Sequence, residues 1–143
     1  FLGACLELAD GNGSDIWARR AERTIIAVAE HEAVNGVLPG QGGGDGGLFA
    51  GILARYLALS AIRLPDAAGP LAARMVIASA DAAWRNRTVA PSGPLFGPEW
   101  GQPAVAPRGR RDRSNERDMS VQLSGWMVLE AAALLERHAS MGT

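Results

Sequence analysis

Apolar residues recur about every three or four positions in five stretches of this 143-residue chain, and each of the first four stops near glycine or proline. That spacing places apolar side chains on one face of an α-helix, whereas the alternation typical of strands is nearly absent. The sequence therefore predicts an all-α fold. The predicted helices are an opening helix with Leu2, Cys5, Leu6 and Ala9, a second from about Trp17 to Asn35-Gly36, a third from about Leu48 to the LPDAAGP segment, a fourth from Pro70 to about Trp84, and a last that holds Leu123, Trp126, Met127, Leu134 and Leu135.

The breaks between these helices carry ordinary helix-ending and helix-starting signals. The opening helix stops at DGNGSD, where Ser14 or Asp15 is predicted to cap the second helix. A long stretch rich in proline, glycine and arginine, residues 88–117, precedes the last helix. Several helices are apolar over more than one face, which indicates burial between layers. We expect paired helices with functional loops at their ends.

Composition excludes several classes of protein. With 48% hydrophobic and 20% charged residues, the chain has the composition of one globular domain. Its net charge of -1 gives no indication of a nucleic-acid partner. Cys5 is the only cysteine, which excludes an internal disulfide and a cysteine-built zinc site. No uninterrupted apolar run reaches the roughly 18 residues that cross a bilayer, so we expect no membrane span.

The segment GQGGGDGGLFAGILARYLALSA, residues 40–61, contains a possible nucleotide-binding motif. Gly42, Gly44 and Gly47 spell G-x-G-x-x-G at the entrance to a helix, but that motif requires a buried strand before it and another after the helix. Neither strand is predicted, and the chain contains no lysine for a P-loop. We interpret the glycines as a loop at the open end of the helical array, with Asp45 at the mouth of an apolar helix.

Several segments together resemble the C-terminal half of glycoside hydrolase family 76, the bacterial and fungal α-1,6-mannanases. The family pattern of Asp, a short gap, Phe-Lys-Gly-Ile-Phe and Arg-Tyr-Leu corresponds to Asp45, residues 49–53 and residues 55–57. The segments ASADAAW, LFGPEWGQP and SVQLSGWMVLEAAALL follow in the family's order, and Glu99 and Trp100 fall on its acid and Trp-Gly positions. The opening FLGACLELAD is also similar to a family helix.

The resemblance implies an (α/α)6 toroid that hydrolyses α-1,6-mannosidic linkages within mannan-type glycans without a cofactor or metal. Residues 1–143 would form the C-terminal half of this single domain, about five or six of its twelve helices. The chain starts inside a helical pattern without methionine, so we expect that the N-terminal half is missing, and the compartment stays open. The family's catalytic acids are an adjacent Asp-Asp pair, which is absent here. We therefore expect no catalytic residue in this chain and no activity from it alone.

Asp45, Phe49 and Trp100 are the predicted substrate contacts. The Asp45 carboxylate could accept hydrogen bonds from adjacent sugar hydroxyls or cap the helix that starts near Leu48. Trp100 could stack on a sugar or cover the end of the core. Ala50 replaces the family lysine, which leaves open an inactive protein or one with altered specificity.

The remaining candidate residues have structural interpretations. Trp17, Trp84 and Trp126 are predicted to pack in the core, Glu99 to be a solvated loop acid, and His31 and His138 to be surface residues rather than metal ligands. The segment RGRRDRSNERD mixes both charges and lacks aromatic residues, so it is predicted to be a solvated loop. A non-catalytic helical-repeat module that binds glycan or protein stays open, as does another (α/α)6 sugar enzyme.

Overall fold

The computed structural model describes residues 1–12, 15–64, 67–91, 93–109 and 111–142. Within them, the five predicted helices are present, which confirms the all-α prediction. They are α1 (Leu2–Asn12), α2 (Asp15–Ala27), α3 (Phe49–Arg63), α4 (Ala68–Asn86) and α5 (Met119–Met141). A π-helical turn, Val28–Glu32, extends α2. Asp15 lies in the first turn of α2, whereas the other predicted cap, Ser14, lies outside the described residues.

The helices form two layers. Helices α1, α3 and α5 lie side by side in one layer, and α2 and α4 pack behind them and against each other. Arg63 Nη1 on α3 donates a hydrogen bond to Glu7 Oε1 on α1 at 2.7 Å and lies 3.4 Å from Asp10 Oδ2. These carboxylates are mostly exposed, so the ion pairs add little stability. The close packing of the layers holds them together.

The core lies between the two layers. Large apolar side chains with almost no exposed area come from both, together with alanines that let the helix backbones approach. Cys5 on α1 belongs to this core as a free, buried thiol. The fully buried large side chains of the helices include Leu6, Ile25, Leu57, Val76 and Val128.

A short antiparallel hairpin follows α4. Strands β1 (Thr88–Ala90) and β2 (Gly93–Leu95) pair with Thr88 opposite Leu95 and Ala90 opposite Gly93. The sequence predicts a loop here, because three-residue strands are too short to show an alternating pattern. The hairpin leads the chain from α4 toward the N-terminus of α5.

The structure corrects the core prediction for two of the tryptophans. Trp84 is 44% exposed and Trp126 is 50% exposed, whereas Trp17 is partly buried against the core. The guanidinium of Arg87 stacks on the Trp84 ring, 3.8 Å from its centroid. Both exposed rings lie on helix faces that are incompletely covered by the described residues, which helical spacing alone does not reveal.

The helical segment Gly44–Arg63, which joins a 3-10 turn to α3, is 20 residues long with a mean hydropathy of 1.3. By length and composition it could cross a membrane, although no uninterrupted apolar run reaches that length. One such helix is weak evidence for a membrane span, because a central core helix passes the same test. Here α3 packs against α1, α4 and α5.

Candidate functional site

Residues 40–47, hereafter the glycine segment, lie against the N-terminus of α5. The Gly44 N–H donates to Asp118 Oδ2 at 2.8 Å. Asp118 Oδ1 accepts from the Ser120 N–H at 2.9 Å and the Ser120 hydroxyl at 2.7 Å, so Asp118 is also the N-cap of α5. The Ser120 hydroxyl, followed by the Gly44 and Ser120 N–H groups, lowers the pKa of Asp118 below its usual value. One carboxylate thus joins the segment to the helix.

Close packing explains three of the six glycines in this segment. A Cβ atom added to Gly40, Gly42 or Gly47 would lie closer than 3.0 Å to the Pro98 carbonyl, the Asn115 amide or the Ser120 hydroxyl, respectively. The Gly44 N–H already donates to a carboxylate, and a phosphate there would meet that negative charge. The rejection of a phosphate-binding loop is therefore consistent with this geometry.

The contact continues along α3 and α5 as a seam formed by Gly47, Gly51, Ser120 and Ser124. The Gly51 N–H donates to Ser124 Oγ at 2.8 Å, and a Cβ atom on Gly51 would lie 2.7 Å from the Ser124 Cα atom. The two glycines are four residues apart, and so are the two serines, so the contact recurs after about one helical turn. The seam therefore fixes the start of α3 against α5.

Residues 96–100 lie at the same end of the bundle as the glycine segment and the N-terminus of α5. The Gln122 side chain on α5 accepts from the Phe96 N–H at 2.9 Å and donates to the Phe96 carbonyl at 2.8 Å. The same amide donates to the Glu116 carbonyl at 2.9 Å. Three segments therefore meet at the N-terminus of α5: the glycine segment, residues 96–100 and residues 115–120.

Asp45 and Phe49 lie exposed at this place. Asp45 is in the 3-10 turn Gly44–Leu48, and Phe49, which is 57% exposed, begins α3. The proposed helix-capping role of Asp45 is wrong: no hydrogen bond joins its carboxylate to any residue within the described ranges, and the N-cap of α3 is Leu48. The Asp45 carboxylate is free to bind hydroxyl groups from outside.

Trp100 is 2% exposed, and its backbone carbonyl accepts from the Asn86 side chain at 2.8 Å. This burial agrees with the interpretation that Trp100 covers the end of the core. Glu99 is exposed, as predicted for a loop acid. Ala50 is 6% exposed within the core, so the position of the family lysine faces the protein interior in this chain.

The two histidines are exposed, and the described parts of the chain contain no group of three His, Cys, Asp or Glu side chains that could hold a metal ion. Asp118 and Gln122 were not among the predicted site residues, although they join the glycine segment and Phe96 to α5. An aspartate directly before an apolar helical pattern is an N-cap signal, and it could have identified Asp118 as the cap of α5.

No family model and no curated protein matches the chain. Solved structures do match. The GH76A α-1,6-mannanase from Salegentibacter sp. HEL1_6 is 34% identical with a TM-score of 0.76, over 94% of this chain and 38% of the mannanase. An inactive variant of that enzyme, with two consecutive aspartates changed to asparagine and α-1,6-mannotriose bound, is 35% identical with the same coverage and TM-score. The Lin0763 protein from Listeria innocua is 27% identical with a TM-score of 0.76, over 95% of this chain and 36% of that protein.

These likenesses establish a fold like that of the GH76 mannanases. The five helices form a portion of an all-α toroid. The chain spans 38% of the length of the mannanase.

Proposed function

We propose that this chain is the C-terminal half of one (α/α)6 glycoside hydrolase domain of family 76, which cleaves α-1,6-mannosidic linkages within mannan-type glycans. The observation that carries the proposal is the likeness to the GH76A mannanase, at 34% identity over 94% of the chain. The order of the matching sequence segments supports the same assignment. Endo-hydrolysis would release short mannose oligosaccharides from a longer chain.

The catalytic acids would come from outside these 143 residues. Glycoside hydrolysis uses a pair of carboxyl groups on either side of the scissile bond, one of which protonates the leaving oxygen. In the mannanase, changing two consecutive aspartates gives an inactive variant, and this chain contains no two consecutive aspartates. Asp118 is poorly suited to be the acid, because its hydrogen bonds lower its pKa and favour the ionised form. The chain would therefore contribute to substrate binding.

Asp45 and Phe49 would make the sugar contacts. A carboxylate can accept two hydrogen bonds from neighbouring hydroxyls, and the Asp45 carboxylate is exposed. An exposed aromatic ring such as Phe49 can pack against the apolar face of a sugar. Trp100 would not contact the sugar, since it is buried, but would anchor the segment of residues 96–100 in the core.

Hydrolysis of a linear α-1,6-mannan tests the proposal. The product of the complete reading frame that encodes this chain is compared with the 143-residue chain and with Asp45→Ala in the complete protein. We expect activity only from the complete protein. The loss of charge-assisted hydrogen bonds should lower kcat/KM about tenfold in Asp45→Ala. Asp81→Ala, which removes an exposed acid from α4, is the matched control and should retain activity.

A complete protein that does not cleave the mannan would contradict the hydrolase assignment. Calorimetric titration with α-1,6-mannotriose would then distinguish a different sugar enzyme from a non-catalytic glycan-binding module. The module predicts binding without cleavage, and Asp45→Ala should weaken that binding. Wild-type activity in Asp45→Ala would remove Asp45 from the site.

A further inference from the structure

The position of Asp45 depends on a neighbour that the sequence motif does not include. Asp45 directly follows Gly44, whose N–H donates to Asp118, and no hydrogen bond joins the Asp45 side chain to the described part of the chain. Gly43 and Gly44 have φ angles of 71° and 54°, which lie in the left-handed region. Because glycine also adopts other conformations readily, contacts with the surroundings are needed to keep the segment in this one.

Asp118 supplies this restraint through one carboxylate oxygen, while the other caps α5. Oδ1 is occupied by the two donors of Ser120, and Oδ2 receives the Gly44 N–H. Capping α5 requires only one acceptor oxygen, which asparagine or serine would also provide. The second oxygen is therefore available for the glycine segment, and only a carboxylate offers acceptors on both sides.

We propose that Asp118 is a positioning residue for glycan binding: it holds the glycine segment against α5 so that Asp45 and Phe49 face the sugar. This inference rests on the proposed function, because the ligand is the same α-1,6-linked mannose chain. Asp118 itself does not touch the substrate in this proposal. It acts through the backbone of Gly44 and the seam contact between Gly47 and Ser120.

Two substitutions separate this role from helix capping. Asp118→Asn and Asp118→Ser each retain one side-chain oxygen that can cap α5, and both lose the carboxylate oxygen that faces Gly44. Asp112→Asn is the matched control. Asp112 is also a loop carboxylate that accepts two backbone N–H groups, from Arg108 at 2.6 Å and Ser114 at 2.9 Å, but neither donor belongs to the glycine segment.

Two measurements are made on the complete protein. The first is the separation of kcat and KM on linear α-1,6-mannan. In both Asp118 variants we expect KM to rise about tenfold while kcat stays within about twofold, because misplaced Asp45 and Phe49 weaken sugar binding rather than the chemical step. The second is amide hydrogen exchange without ligand. Residues 41–48 should exchange faster in both variants, whereas residues 121–128 of α5 should keep their protection.

An unchanged KM in Asp118→Asn and Asp118→Ser would overturn the proposal whatever the exchange result. So would a raised KM that comes with lost protection of α5, because the effect would then be structural. An equal rise of KM in Asp112→Asn would also overturn it. If the wild-type protein neither cleaves nor binds the mannan, the proposed function fails. Faster exchange of residues 41–48 in the Asp118 variants would then still show that Asp118 restrains the glycine segment. Unchanged exchange would show that it does not.

Discussion

Helices α3 and α5 present two different surfaces. On the seam, glycine meets serine at four-residue spacing and the backbones come close enough for the Gly51 N–H to reach Ser124 Oγ. Besides Phe49, the same helices expose further large apolar side chains, including Ile52 at 39%, Leu123 at 47% and Trp126 at 50%. We call these three the exposed apolar residues. The seam has its partner within this chain, whereas no helix among the described residues fully covers the exposed apolar residues.

The largest predicted effect concerns the exposed apolar residues. If they pack against the remainder of a toroid, the 143-residue chain alone should self-associate or melt without a sharp transition, since exposed apolar surface favours association. The complete protein should melt cooperatively as a monomer. Light scattering together with a thermal melt checks this. A sharp melt of the isolated chain as a monomer would show that these residues need no partner.

The next largest effect should come from the seam. Gly51→Val puts a branched side chain where even a Cβ atom lies 2.7 Å from the Ser124 backbone, so we expect the free energy of unfolding to fall by about 3 kcal/mol. Urea denaturation of the complete protein measures it. A Cβ atom on Gly101 meets nothing within 4 Å, so Gly101→Ala should stay within about 0.5 kcal/mol of the wild type. Equal stability of the two variants would mean that the seam is not closely packed.

The smallest effect should appear in acid. The folded protein lowers the pKa of Asp118 from its ordinary value of 3.8, so the ionised group stabilises the fold above the unfolded pKa. This contribution is lost as pH falls through the lower, folded pKa. We expect Asp118→Asn to be less stable than wild type at pH 7, and the difference to close below about pH 4. Urea midpoints across this range test it, and a difference that is independent of pH would contradict it.

The helices could be predicted from the sequence because each contains its own periodic pattern and its own ends. The N-cap role of Asp118 could also be inferred from the neighbouring sequence, since aspartate before a helix is a common signal. The hydrogen bond from Gly44 to Asp118 could not be inferred in this way, because the two residues are 74 positions apart. The glycine motif suggested a loop, but it did not show that Gly40, Gly42 and Gly47 lie close to distant residues. It also did not show that Gly43 and Gly44 have positive φ angles.

Exposure was the least predictable property. Trp100, in a glycine- and proline-rich loop, is buried, while Trp84 and Trp126, at helical spacing, are exposed. Periodicity shows which side chains share a helix face, but it does not show whether another element covers that face.

The seam also bears on the order in which the molecule folds. The seam bond from Gly51 to Ser124 joins residues 73 positions apart, and the neighbouring bond from Gly44 to Asp118 spans 74 positions. By contrast, α3 and α4 are consecutive in the chain. Contacts between distant residues require closure of a long chain loop, which costs entropy before the contact forms. We therefore expect helical hairpins to form first and the glycine segment to dock onto α5 late, so that the candidate site is assembled among the last parts of the fold.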